Sequence, residues 1–266
     1  MQFTLAGAAL AVLDVAEPER KVRRSHAIAS DWRGLRIHEI GSAAPPDRPA
    51  RPGKPELKPA TRVRKRKIGP GLAGRVALLH ALAHIELNAV DLAWDIVARF
   101  THEDLPHDFY DDWVKVADEE AKHFALLSDR LAALGAAYGD LPAHDGLWEA
   151  ALETRHDLLA RLAVVPLVLE ARGLDVTPAM VGKLRDAGDA DSAAVLQVIY
   201  DEEIGHVATG KRWFAWLCER RGLEPVATWQ ALVRKHFRGQ LKRPFNEPGR
   251  AEAGLPADWY APLAGD

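Results

Sequence analysis

The sequence predicts an all-α fold, a four-helix bundle with further helices at both ends and an extended proline-rich strap. Two observations carry this prediction. Apolar residues recur at steps of three and four along four long segments, and the pattern Asp-Glu-Glu-x-x-His occurs twice, ending in the pairs Glu120 with His123 and Glu203 with His206. Residues three apart lie on the same face of an α-helix, so each pair can point at one spot.

The motif glutamates lie in apolar stripes. The stripe through Glu120 contains Trp113, Phe124 and Leu127, and the stripe through Glu203 contains Ile199, Trp213 and Leu217. An ionised carboxylate inside an apolar core is unfavourable unless a cation or hydrogen bonds compensate its charge. A divalent metal ion supplies that compensation, and a buried salt-bridge network without metal is the alternative.

Two further glutamates, Glu86 and Glu170, lie in apolar segments. Glu86 precedes Glu120 by 34 residues and Glu170 precedes Glu203 by 33. At about 1.5 Å per residue, this spacing accommodates half a helix, a turn and half an antiparallel helix. Each half of the chain therefore predicts a helical hairpin with Glu opposite Glu-x-x-His. The predicted metal ligands are Glu86, Glu120, His123, Glu170, Glu203 and His206.

The predicted organisation has four parts. They are an N-terminal helical segment (1–41), a strap (42–71), the dimetal bundle (72–222) and a C-terminal helix and tail packed on the bundle (223–266). The four bundle helices are expected at 72–100, 108–134, 146–172 and 190–221. Pro166 should kink the third helix and help to aim Glu170. Gly173–Ala190 is expected to be a break, with a short helix starting at Thr177 and Pro178.

Composition bounds the location and the partners. The net charge of −3 indicates no particular partner, and the lone cysteine, Cys218, cannot form an intrachain disulfide, so a reducing cytoplasm is expected. No apolar run approaches the roughly 18 residues of a membrane span, so no membrane association is expected. The strap carries prolines and many basic residues; a structural strap is favoured over an arm that contacts nucleic-acid phosphates.

The ligand set indicates its chemistry. Four carboxylates and two imidazoles suit Fe, Mn or Zn, and two divalent ions would neutralise the four carboxylates. We expect two metal ions, preferably iron, with manganese or a mixed pair as alternatives. Glu86 and His123 would bind one ion and Glu170 and His206 the other, with Glu120 and Glu203 bridging.

Residues beside the ligands are candidates for supporting roles. Glu119 and Glu202 are candidate acceptors for the ligand histidines, with Asp118 and Asp201 as alternatives. Tyr200 is a candidate hydrogen-bonding or redox residue one turn before Glu203, unless it simply packs in the core. The neighbouring His80 and His84 are interpreted as packing or hydrogen-bonding residues.

These residues carry a resemblance. With the segments 80–89, 118–124, 169–175, 201–206 and 242–246, the chain resembles the ferritin-like superfamily of carboxylate-bridged dimetal proteins, and more closely a bacterial family of unknown function within it. The resemblance covers nearly the whole chain. It implies a four-helix dimetal bundle with the six ligands above, and it includes distant similarity to a tRNA-modifying hydroxylase.

Three functions compete. The first is an O2-activating oxidase or hydroxylase that acts on an organic substrate, either a small molecule or a tRNA, with an external electron donor. The second is an iron-handling or peroxide-reducing protein like ferritin or rubrerythrin. The third is a non-catalytic, metal-stabilised binding module. The long additions to the bundle favour the first, since a substrate pocket needs walls. The oligomeric state is left open.

Overall fold

A computed structural model describes residues 4–59, 62–63 and 71–265. The prediction of an all-α fold is confirmed: β-structure within these ranges is limited to isolated bridges. The helices are α1 (Leu5–Leu13), α2 (Pro18–Arg33), α3 (Leu72–Arg99), α4 (His107–Ala133), α5 (Gly146–Glu153), α6 (Leu158–Val164), a π-helix (Val165–Glu170), α7 (Ala171–Asp186), α8 (Ala190–Arg220), α9 (Pro225–His236), α10 (Glu247–Glu252), α11 (Ala257–Tyr260) and a 3-10 turn (Ala261–Leu263). The chain forms two compact units, Met1–Trp148 and Glu149–Asp266.

The first unit is organised on the hairpin of α3 and α4. These two helices pack against each other, while α1 packs on α3 and α2 packs on α4. The core between them is built from large side chains such as Trp94, Trp113 and Phe124. α3 is long and apolar enough to cross a membrane, but 78% of its most apolar window is buried, which is typical of a core helix in a soluble protein.

Residues 42–59 of the predicted strap contain no helix, and backbone and side-chain hydrogen bonds attach them to the rest of the first unit. Ala50 N donates to Leu13 O at 2.7 Å, and Lys58 N donates to Ala143 O at 2.8 Å. Arg51 Nη2 donates to Asn88 Oδ1 on α3 at 2.6 Å. These contacts agree with the interpretation of residues 42–59 as a structural strap. The basic run Arg64–Lys67 lies outside the described residues.

The prediction of one helix over 146–172 followed by a break is wrong. The chain is interrupted earlier, after Glu153, and Asp157 caps the new helix α6 by accepting from Leu159 N at 3.0 Å. The expected break at Gly173 is wrong, because α7 runs through it to Asp186. The motif at Thr177 and Pro178 therefore does not start a helix.

A distant side chain explains how Pro178 fits inside α7. Proline lacks the N–H that would bond the carbonyl four residues earlier, here that of Leu174. Asn246 Nδ2 donates to Leu174 O at 3.0 Å and so replaces the missing donor. The helix continues because the C-terminal tail satisfies the carbonyl that the proline leaves free.

Pro166 changes the helix type. It lies at the second position of the π-helix Val165–Glu170, where the wider turn accommodates the loss of an α-helical hydrogen bond. The π-helix packs on α8 at Gly210, where a Cβ atom would come within 2.4 Å of Pro166 Cβ. A glycine is therefore required for this close approach, which also sets the position of Glu170 at the end of the π-helix.

We predict opposite effects for two glycine substitutions on α8. Gly210→Ala should destabilise the fold by about 1–3 kcal/mol because its methyl group overlaps Pro166. Gly205→Ala meets no atom within 4 Å and should stabilise the fold by roughly 0.5–1 kcal/mol through its helix propensity. Urea unfolding of both variants measures the difference. Equal free energies of unfolding would contradict this packing.

Candidate metal centre

The first unit brings three of the predicted ligands together. Glu86 lies on α3, and Glu120 and His123 lie one turn apart on α4. Because the two helices form a hairpin, Glu86 meets the Glu-x-x-His pair across their interface. All three side chains are buried, with Glu86 only 4% exposed and the other two fully covered. The apolar residues that surround these three side chains in the sequence indicate that they lie on buried helix faces.

The spacing of these side chains fits one metal ion. His123 Nδ1 lies 3.3 Å from Glu86 Oε2 and 3.5 Å from Glu120 Oε2. Ligand atoms that each lie about 2.1 Å from an ion are separated by roughly 3.0–3.4 Å in tetrahedral or octahedral coordination. One ligand atom from each of the three residues lies within 4.8 Å of the others. This buried Glu/His cluster therefore has the donors and the spacing to hold a metal ion.

The cluster retains protons when no metal is bound. Burial lowers the pKa of His123, but hydrogen bonds to Glu120 and Glu86 and their charges outweigh it and raise that pKa to about 11. Burial, reinforced by the charge of Glu120, raises the pKa of Glu86 well above its usual value. A cation that binds here displaces those protons, because metal ligands bind in their deprotonated forms.

The second unit carries the matching motif on α8. His206 Nδ1 lies 3.6 Å from Glu203 Oε1, and both side chains are buried. Glu203 Oε2 is also buried, and among the described residues it has no hydrogen-bond partner. Glu170 is half-buried at the C-terminal end of the π-helix, which packs on α8. Convergence of all six ligands on one centre stays a prediction.

The histidines of α3 have other partners. His84 Nε2 lies 3.0 Å from His144 O, so this nitrogen donates, and Nδ1 accepts from the Tyr138 hydroxyl at 2.8 Å. Burial lowers the pKa of His84 to about 4, which keeps the ring neutral. His80 Nε2 accepts from Gly139 N at 2.9 Å. Both residues thus hold the segment after α4, in agreement with their interpretation as hydrogen-bonding residues.

The supporting residues remain predictions. Glu119 Oε1 lies 3.7 Å from Lys115 Nζ, and Glu202 lies half-buried beside Glu203 on α8. Tyr200 has a defined partner, because its hydroxyl accepts from Asn246 Nδ2 at 2.8 Å. Asn246 thus contacts both Tyr200 and the carbonyl freed by Pro178, a double role that no local sequence pattern indicates.

Comparison with known proteins places the chain in a family. The family described as a protein of unknown function, DUF455, matches residues 14–261. The chain belongs to the DUF455 family. A relative from Haemophilus influenzae, described as an uncharacterized protein, is 39% identical over 227 residues, which is 83% of this chain and 78% of the relative.

The DUF455 assignment confirms the predicted resemblance to a bacterial family of unknown function. No solved structure matches the chain. Membership of the ferritin-like superfamily therefore stays a prediction, supported by the paired Glu and Glu-x-x-His motifs.

Metal affinity should rise with pH. The metal-free cluster holds protons on His123 and Glu86, because their pKa values are raised. Each displaced proton should strengthen apparent binding roughly tenfold per pH unit through the neutral range. Titration of the chain with Fe(II) or Co(II) at pH 6, 7 and 8 measures this slope. An affinity that does not change with pH would rule out displacement of a proton by the metal.

Proposed function

We propose that the chain holds two metal ions, preferably iron, and uses them in an O2-dependent oxidation of an organic substrate. The observation that carries this proposal is the buried cluster of Glu86, Glu120 and His123, whose ligand atoms lie within 4.8 Å of one another. When bound and reduced, two such ions would supply the electrons that O2 takes up, and an external donor would return those electrons.

The charge balance supports a metal in each half. Glu86 and Glu120 contribute two negative charges in the first unit, and Glu170 and Glu203 contribute two in the second. One divalent ion with each pair of carboxylates gives neutrality, which makes burial tolerable. The near-equal spacing in the two halves, 34 and 33 residues, supports equivalent roles for the two ligand groups.

The chemistry of the donors supports a redox metal. Carboxylates and imidazoles suit Fe and Mn, and a protein ligand set of this size leaves coordination positions for an exogenous molecule. The chain's own residues would fix the ions and exclude bulk water, since Glu120 and His123 are fully covered. In this proposal the six ligands would hold the two ions, and Glu120 and Glu203 would be the carboxylates shared by both.

The first experiment tests whether the centre is dinuclear. The protein is loaded with Fe(II) without oxygen, iron per chain is measured, and the magnetic behaviour is followed after oxidation. Two irons per chain with antiferromagnetic coupling are expected, because coupling requires bridging ligands. Two uncoupled irons would mean two separate sites. Fewer than one iron per chain, or no O2 consumption by the reduced protein, would contradict the proposal.

We predict that Glu86→Gln separates metal binding from folding. The amide keeps the shape but loses the negative charge, so iron should fall from about two per chain to about one or fewer, and O2 consumption should fall at least tenfold. The melting temperature of the metal-free protein should change little, because the raised pKa of Glu86 already favours its neutral form.

Glu219→Gln is the matched control. This glutamate is exposed near the end of α8, and the same change there should leave the iron content and O2 consumption unchanged. If Glu86→Gln kept its full iron content, Glu86 would not be a ligand.

A further inference from the structure

The second unit contains a cavity of about 260 Å³ bordered by the π-helix, α7 and the C-terminal tail. Its apolar lining includes Val168, Leu169, Phe237, Leu241 and Phe245. Small-molecule sites combine such an apolar lining with a few placed polar groups. The volume suits a ligand smaller than a drug-sized molecule.

The charged side chains of the lining are mostly cationic. Arg172, Lys242 and Arg250 contribute three positive charges and Asp175 contributes one negative charge, which gives a net charge of +2. Asp175 is already engaged, because Arg250 donates to both its oxygens, at 2.7 and 2.8 Å, and Asn246 N donates to it at 3.0 Å. Arg172 Nη1 also donates to Asp175 Oδ2 at 3.3 Å and to Lys242 O at 2.7 Å, but the three cations still outnumber the one carboxylate. The excess positive charge is available to a ligand.

Arg250 provides an independent sign of a missing acceptor. This side chain is 2% exposed, and its Nε and Nη2 atoms bond to Asp175. Its Nη1 atom is buried and has no hydrogen-bond acceptor within the described part of the chain. A buried donor in this state is unfavourable, and a ligand oxygen would satisfy it. The rings of Phe245 and Tyr260 lie beside the guanidinium, which is 5.0 and 4.4 Å from their centres.

We propose that this cavity binds a small organic carboxylate with an apolar body. The carboxylate would meet the cations Arg172, Lys242 and Arg250, and the body would lie against the phenylalanines and aliphatic side chains. A neutral apolar molecule would leave the positive charge uncompensated. A free inorganic anion would leave the apolar lining in water. The lining therefore selects a molecule that has both parts.

The position of the cavity relates it to the metal ligands. Val168 and Leu169 line it and immediately precede Glu170 in the same π-helix. The bound carboxylate would thus lie beside the segment that presents a predicted ligand, as a substrate of the oxidation would. This link alone rests on the proposed function; the binding site itself needs no metal.

Calorimetric titration of the metal-free protein tests the binding site. The probes are phenylacetate and hexanoate, with phenylacetamide and hexanamide as neutral matches. We expect the carboxylates to bind at least tenfold more tightly than the amides. No binding at millimolar concentration, or equal binding of acid and amide, would overturn the proposal. Tighter binding of phenyl phosphate than of phenylacetate would overturn the choice of a carboxylate.

Two lysine substitutions test whether a positive charge in the cavity lining, rather than the net charge of the protein, strengthens carboxylate binding. Lys242→Gln removes an exposed cation from the lining and should weaken carboxylate binding threefold or more without changing the affinity for the amides. Lys183→Gln makes the same change of charge on an exposed residue of α7 outside the lining and should leave every affinity unchanged. Equal losses in both variants would show an effect of net charge alone and would contradict the site. Melting curves of both variants check that they fold.

A separate experiment tests whether the bound carboxylate lies beside the metal ions. Phenylacetate is added to the Co(II)-loaded protein, and the cobalt absorption bands are recorded. A changed spectrum that needs at least threefold more phenylacetate in Lys242→Gln, and the unaltered concentration in Lys183→Gln, supports a carboxylate bound beside the metals. Unchanged bands despite calorimetric binding would remove the link to the metals and leave the binding site standing. Failure of cobalt to bind would count against the proposed function alone.

Discussion

Buried negative charge is the constraint on which the first unit depends. α3 carries three acids in its buried face, and each is compensated differently. Asp91 pairs with Lys21, Asp95 pairs with Arg99 at 2.7 Å, and Glu86 lies beside His123. Lysine and arginine seldom bind metal ions in proteins, whereas an imidazole that loses its proton becomes a metal ligand. The histidine therefore makes the Glu86 group the one suited to exchange a proton for a metal.

Part of the structure could be predicted because the signals are local. Glu120 and His123 lie one turn apart on one helix, so their shared face follows from the helix repeat alone. Glu86 joins them because a short turn connects α3 and α4, which fixes the height at which the helices face each other. The apolar stripes around these acids predicted their burial, which is 4% exposure or less for the ligands of this unit.

The misplaced break in the second unit has a non-local cause. Pro178 leaves the carbonyl of Leu174 without its helical donor, and the replacement donor is Asn246, 72 residues after Leu174. Similarly, the π-helix at Pro166 depends on the open space that Gly210 leaves on α8. Neither compensation is visible in the local pattern. The cationic cavity could not be predicted for the same reason, since α7 and the tail build it together.

Because Asn246 lies near the C-terminus, the contacts that complete α7 can form only late in chain synthesis. The segment that ends in Glu170 leaves the ribosome well before the residue that completes α7 by bonding Leu174 and Tyr200. The Glu203 and His206 pair of α8 also emerges before Asn246 can form its hydrogen bonds to Leu174 and Tyr200. A nascent chain therefore exposes its acidic and imidazole groups while their supporting helix still lacks a partner. In the proposed function, the second unit would therefore hold a metal ion firmly only after translation has delivered the tail.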